Sequence, residues 1–120
     1  MGLDIYFYRN KKREIGYFRK VNFLVAFFEK KGFDTPKQAP LEISLEDAEE
    51  LLNLCEQVLE DHSKAKELLP TCEGFFFGDT DYDEYYFSDV EEVRDYLKNE
   101  LIPHFQTLDE NEYITFETWY

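Results

Sequence analysis

The sequence predicts an α+β domain, a small and mostly antiparallel sheet with three main helices packed on it. Two-residue alternation marks both ends of the chain, while apolar residues spaced by three and four fill the middle. Gly, Pro and Ser fall between these stretches as punctuation. Apolar residues make up 43% of the 120 and aromatics 18%, enough to build one core without disulfides. One domain over 1–120 is expected, with no repeat, low-complexity tract or linker.

Residues 3–8 alternate and place Leu3, Ile5 and Phe7 on one face, a strand pattern. The basic run 9–13 follows as a polar loop, and 15–18 pairs back as a short strand. Residues 20–31 are expected to be helical, with Val21, Leu24, Val25 and Phe28 on one face and Gly32 as the C-terminal glycine. Pro36 and Pro40 mark 33–43 as a connecting loop. Ser44 is an N-cap for a helix running to about Asp61, with Glu46 and Asp47 in its first turn and Leu45, Ala48, Leu52, Cys55 and Leu59 as its apolar stripe. Ser63 would cap a further turn over 64–69, ended by Pro70. Residues 74–77 then read as a strand, 84–87 as its hairpin partner, and 78–83 as an acidic loop between them. Ser88 with Glu91 forms a capping-box pattern for a helix through Val90, Val93, Leu97 and Leu101, with Pro103 near its end. Residues 112–120 alternate and close the fold as a strand.

Charge is divided along the chain. Residues 1–37 hold nine Lys/Arg against four Asp/Glu, and 38–120 hold four basic residues against 23 acidic ones, a net charge of −19 on the last two-thirds. Such a field attracts cationic surfaces and repels nucleic acid. The expected helix at 45–61 carries seven carboxylates and no Lys or Arg. At a rise of ~1.5 Å per residue this is one negative charge per roughly 3.6 Å, close to the ~3.4 Å of one DNA strand. Glu46, Asp47, Glu49, Glu50, Glu56 and Glu60, with Asp89, Glu91, Glu92 and Asp95 of the next helix, are therefore the candidate partner-binding residues. The cationic cluster Arg9, Lys11, Lys12, Arg13, Arg19 and Lys20 has two readings, contact with phosphate, which the net charge of −14 disfavours, and balance of the acidic body within the monomer or between copies, so self-association is allowed for. Tyr6, Tyr8, Tyr82 and Tyr85 are candidate interface aromatics.

Metal chemistry has two candidate sets. Asp79, Asp81 and Asp83 alternate as at the start of a calcium loop, but Glu84 stands where the sharp turn wants Gly and Val90 where a bidentate Glu belongs. His62 and Cys72, across the Pro70 turn, are a candidate zinc pair with nearby carboxylates. Cys55 and His62, about 10.5 Å apart along one helix, are not. Catalysis has little to stand on. Ser44, Ser63 and Ser88 are explained as caps, no glycine-rich phosphate loop exists, and Cys72 with His62 or His104 depends on the fold. The expectation is a protein that is not an enzyme. No basic segment followed by an apolar one opens the chain, so no secretory signal is expected, and Tyr6 departs from the myristoylation pattern after Gly2. Two cysteines point to a reducing cytosol, and no apolar run is long enough to span a membrane.

Three stretches carry a family resemblance: Met1-Gly2-Leu3-Asp4-Ile5-Tyr6, Gly16-Tyr17-Phe18-Arg19-Lys20-Val21-Asn22, and Leu68-Leu69-Pro70-Thr71 with Gly74-Phe75-Phe76-Phe77-Gly78 and Tyr82-Asp83-Glu84-Tyr85-Tyr86. Together they resemble a group of small bacteriophage and prophage proteins that open in the same way and share the aromatic hairpin. That group has no agreed biochemical role. Its members often carry a His inside the first helix, where this chain reads Phe23-Leu24-Val25-Ala26-Phe27-Phe28. The resemblance implies a phage setting, in the cytoplasm of a host cell. By acidity and setting the chain is similar in strategy to anti-CRISPR inhibitors of nucleases such as Cas9. The expected function is an interaction protein that binds a basic, nucleic-acid-handling surface of a host protein, with no direct nucleic-acid or membrane contact. The alternatives are a small protein that binds a divalent metal or ligand through its acidic loop and, third, a hydrolase or nuclease.

Overall fold

The computed structural model describes residues 2–74 and 78–120. Four strands form one antiparallel sheet in the order β2-β1-β4-β3. Strands β1 (Asp4–Arg9) and β2 (Arg13–Arg19) make the expected hairpin, its basic loop turned by Asn10 and Lys11 at positive φ. A bulge skips Ile15, so Phe7 pairs with Gly16 and Tyr8 with Glu14. Strand β4 (Ile114–Trp119) lies on the other side of β1 in the register Phe7 to Phe116. Alternation sends Ile5, Phe7, Phe18, Ile114 and Phe116 into the core. On the opposite face Tyr6 packs against Tyr8 and Tyr17, with ring centroids 5.7 and 5.2 Å away.

The stretch 33–43 ends differently from the expected loop, because its last three residues form edge strand β3 (Leu41–Ile43), paired with β4. Both prolines precede the strand. An edge strand needs only its inner row of hydrogen bonds, so Pro40 just before it does no damage.

Helix α1 (Asn22–Glu29) is shorter than the expected 20–31 and buries Phe23 and Phe27 as well as Leu24, Val25 and Phe28. Apolar on most sides, it sits inside the fold rather than on it. Gly32, at φ +110°, ends it as expected. Phe33 N–H donates to Phe28 C=O at 2.9 Å and Gly32 N–H to Glu29 C=O at 3.1 Å, the two bonds of a Schellman motif. Phe28, Phe33 and Phe7 then surround Phe116 at 4.3, 5.0 and 5.6 Å.

Helix α2 (Leu45–Glu60) starts at the expected Ser44. Asp47 N–H donates to Ser44 Oγ and Ser44 N–H to Asp47 Oδ2, a reciprocal capping box. Its buried stripe is Ala48, Leu51, Cys55 and Val58, rotated from the expected one so that Leu45, Leu52 and Leu59 are half-buried. The next turn, a 3₁₀ segment (His62–Lys64), is capped by Asp61 and not by Ser63. Ser63 instead donates from N–H and Oγ to the Asp61 carboxylate. Helix α3 (Ala65–Leu68) is a single turn ahead of Pro70.

The expected hairpin at 74–87 requires the largest correction. Residues 75–77 lie outside the described residues, and 84–87 are not a strand but the first turn of α4 (Glu84–Tyr96). Asp83 caps this helix by accepting from Tyr85 and Tyr86 N–H at 3.1 Å each, so Ser88 lies one turn inside and starts nothing. Tyr86, Val90, Val93 and Tyr96 are its buried residues, a helical period that outweighs the strand preference of the aromatic run. The helix passes Pro103 through a π turn (Leu97–Leu101) into α5 (Ile102–Gln106). Pro103 has no N–H to give, and the π turn, with Ile102 N–H bonded to Leu97 C=O, absorbs the mismatch. Tyr96 reaches under the sheet to donate its hydroxyl to Ile15 C=O at 3.0 Å.

Candidate acidic interface

Helix α2 presents its acids in one line. Glu46, Glu49, Glu50, Glu56 and Glu60 are all exposed and share one side of the helix at three- and four-residue spacing, with Asn53 in place of an acid between Glu50 and Glu56. Asp47 is half-buried and spent on the capping box. With the outward residues alone, the spacing lengthens to about 5 Å per charge at ~1.5 Å rise, sparser than a DNA strand.

Helix α4 packs against α2, and its exposed face carries Glu84, Ser88, Glu91, Glu92 and Asp95 on successive turns. Between the two helices lies a groove of about 810 Å³, lined by Leu59, His62, Tyr82, Asp83, Glu84, Phe87, Ser88, Glu91, Glu92 and Asp95. A second groove of about 490 Å³ adjoins it along α4, shares Glu92 and Asp95, and adds Glu14, Tyr17, Asn99 and Glu100. Among the described residues, neither groove is lined by a Lys or Arg. Together they make an acidic trough running from Asp83 to Glu100.

The cations mostly lie elsewhere. Arg9 pairs with Glu112 at 2.9 Å and Arg19 with Asp4 at 3.1 Å. Arg9 also bonds Thr107 and His104. With Arg9 and Asn10 donating to it, Glu112 is pushed down to about 2. Among the described residues, none of the ten candidate carboxylates pairs with a cation of 9–20. Lys31 takes Glu50 and, at 3.9 Å, Asp47; Lys98 lies 3.8 Å from Glu56, and Arg94 holds Asp95 at 3.0 Å. Glu46, Glu49, Glu60, Asp89, Glu91 and Glu92 have no ion-pair partner among the described residues. Asp89 stands apart from this surface. It is half-buried and lines a smaller cavity of about 170 Å³ with Asp79, Asp81 and Asp83, a cavity that Arg19 and Lys20 also line. Burial, with Glu92 and Asp83 nearby, pushes its carboxyl up to about 6.

The two metal candidates fare differently. Carboxylate oxygens of Asp79, Asp81 and Asp83 lie within 4.8 Å of one another. His62 and Cys72 are not brought together with other ligand groups among the described residues. His62 stacks on Phe87, whereas Cys72 sits against the start of α1, its Sγ–H donating to Asn22 C=O. Burial, with Glu29 nearby, pushes the Cys72 thiol up to about 11, unfavourable for a thiolate ligand or nucleophile. His104, the other candidate partner of Cys72, has its Nδ1 on Arg9. Cys55 is core, its thiol pushed up to about 12 by burial.

Of the candidate aromatics, Tyr85 is 73% exposed, while Tyr6, Tyr8 and Tyr82 are half-buried. Leu59, His62, Tyr82, Phe87 and Ser88 enter the groove without having been singled out together, because they come from α2, the 3₁₀ turn, the segment before α4 and α4 itself, which no local spacing relates. Glu84 and Ser88 had a usable signal, since they continue the spacing of Glu91, Glu92 and Asp95 once the helix starts at Asp83. No family model, curated protein or solved structure matches the chain. No helix among the described residues is long and apolar enough to cross a membrane.

Proposed function

We propose that the protein is an acidic binding protein rather than a catalyst, and that the α4 trough docks on a basic, nucleic-acid-handling surface of another protein. One observation carries the reading: two adjoining grooves hold Glu14, Asp83, Glu84, Glu91, Glu92, Asp95 and Glu100 with no Lys or Arg in their lining among the described residues, where of these acids Asp95 alone is ion-paired, with Arg94. A concave surface lined by one sign of charge concentrates its field and draws in the opposite sign. Nucleic acid is repelled by the same field, so the contact is protein to protein. The outward acids of α2 extend it. In the phage setting implied by the resemblance, the target is a host defence nuclease of the Cas9 kind, inhibited by occupation of its nucleic-acid channel. A pull-down from bacterial lysate tests this. Wild-type protein should recover nucleic-acid-binding enzymes at low salt and lose them at high salt, and the Glu91→Lys/Glu92→Lys variant should recover few at either. Recovery independent of both salt and charge reversal contradicts the proposal.

A second reading is favoured by the convergence of Asp79, Asp81 and Asp83 within 4.8 Å. Three hard oxygen donors suit a calcium-sized cation completed by water. Under this reading, calcium titrated into the tag-free protein releases measurable heat, and Asp81→Asn abolishes it; no heat with the wild type rejects it.

A further inference from the structure

The groove between α2 and α4 has an aromatic floor that a purely electrostatic contact does not need. His62 lies flat on Phe87, ring centroids 3.7 Å apart and planes 9° from parallel. Both line the groove with the acidic face of α4. Phe87 is half-buried and fixed edge-on by Tyr86 at 5.0 Å, whereas His62 is exposed, so the pair offers a flat π surface on a rigid base. The two common protein cations respond differently to such a surface. An ammonium is a compact, strongly hydrated point charge. A guanidinium is planar and more weakly hydrated, stacks on aromatic rings, and takes carboxylates in a bidentate fork. Glu84, Glu91 and Glu92 stand on the same groove wall, Glu84 two turns of α4 ahead of the adjacent Glu91 and Glu92.

We propose that this groove is a slot for an arginine side chain of the protein partner, its guanidinium stacked on the His62–Phe87 pair and held by the α4 carboxylates. The proposal rests on the basic-partner reading above and narrows it from basic to arginine-bearing. If the stack served only to pin the 3₁₀ turn to α4, its removal would lower stability without changing which cation binds.

The test uses two labelled peptides of equal length and charge, one arginine-rich and one lysine-rich, titrated into the full chain at physiological salt. Wild-type protein should bind the arginine peptide about tenfold more tightly. His62→Ala should bring that affinity down to the level of the lysine peptide, which itself should not change. Equal wild-type affinities overturn the slot but leave the basic-partner reading standing. A preference that survives His62→Ala overturns the slot as well. If neither peptide binds, both proposals fall. Should His62→Ala melt early, the wild-type protein still decides the matter by NMR. The His62 ring resonances should shift with the arginine peptide and less with the lysine peptide, and unmoved resonances overturn the proposal.

Discussion

Asp89 is an ionised group that the fold holds at a cost. Its carboxyl is pushed up to about 6 by burial, with Glu92 and Asp83 adding to the effect. The folded state therefore binds a proton more tightly than the unfolded chain, and Asp89's contribution to stability is fully present below pH 4 and lost as pH rises through 6. Asp89→Asn should stabilise the protein at pH 7 by about 1 kcal/mol, a figure discounted because the group is only half-buried. Denaturant melts of both proteins from pH 4 to 7 should diverge as pH rises; parallel curves would contradict the assignment. Gly16 gives a prediction of a different kind. A Cβ there would overlap the Tyr96 ring that packs beneath the sheet. Gly16→Ala should cost about 2 kcal/mol through overpacking, and an unchanged melt would show that the ring moves aside freely. At this scale much was legible. Cys55 reads as core from its place on an apolar stripe, and Gly32 as a helix end from its place after one. The contact of Tyr96 with Gly16 joins residues 80 positions apart, and nothing local encodes it.

Among the elements, α4 best separates what a sequence reveals from what it hides. The sequence reading starts this helix at Ser88, whereas Asp83, five residues earlier and read only as part of an acidic loop, is the residue that caps it. Asp83→Ala should destabilise the protein by about 1 kcal/mol, while Ser88→Ala should change it by less than about 0.5 kcal/mol, as at other exposed positions. Thermal or chemical denaturation of the pair checks this, and a larger loss at Ser88 would move the helix start. The run Glu84-Tyr85-Tyr86-Phe87 misled because aromatic residues favour strands when counted alone. The burial of Tyr86 with Val90 and Val93 settles the period as helical. In contrast, α2 was legible as a helix because its cap, its first-turn acids and its apolar period all agree, although the face it buries is rotated from the expected stripe. The short β3 was hidden behind Pro40, since three residues carry too little alternation to register.

Across the whole molecule, the charge division of the sequence survives folding. Arg9 and Arg19 find Glu112 and Asp4 on the sheet side, and of the candidate acids Asp47, Glu50, Glu56 and Asp95 are paired with Lys31, Lys98 and Arg94, which leaves Glu46, Glu49, Glu60, Asp89, Glu91 and Glu92 without an ion pair among the described residues. That a negative region would exist was readable from composition. Its placement was not, because the trough depends on α4 starting at Asp83 and on β2 bringing Glu14 beside Glu92 and Glu100. The central claim is that this trough binds a cationic protein surface. The most direct measurement is the affinity of the wild type and of Glu91→Lys/Glu92→Lys for the arginine-rich peptide across a series of salt concentrations. Wild-type affinity should fall steeply as salt rises, and the reversal should weaken binding by about tenfold or more at low salt. Affinity that is flat in salt and unmoved by reversing both charges would contradict the account.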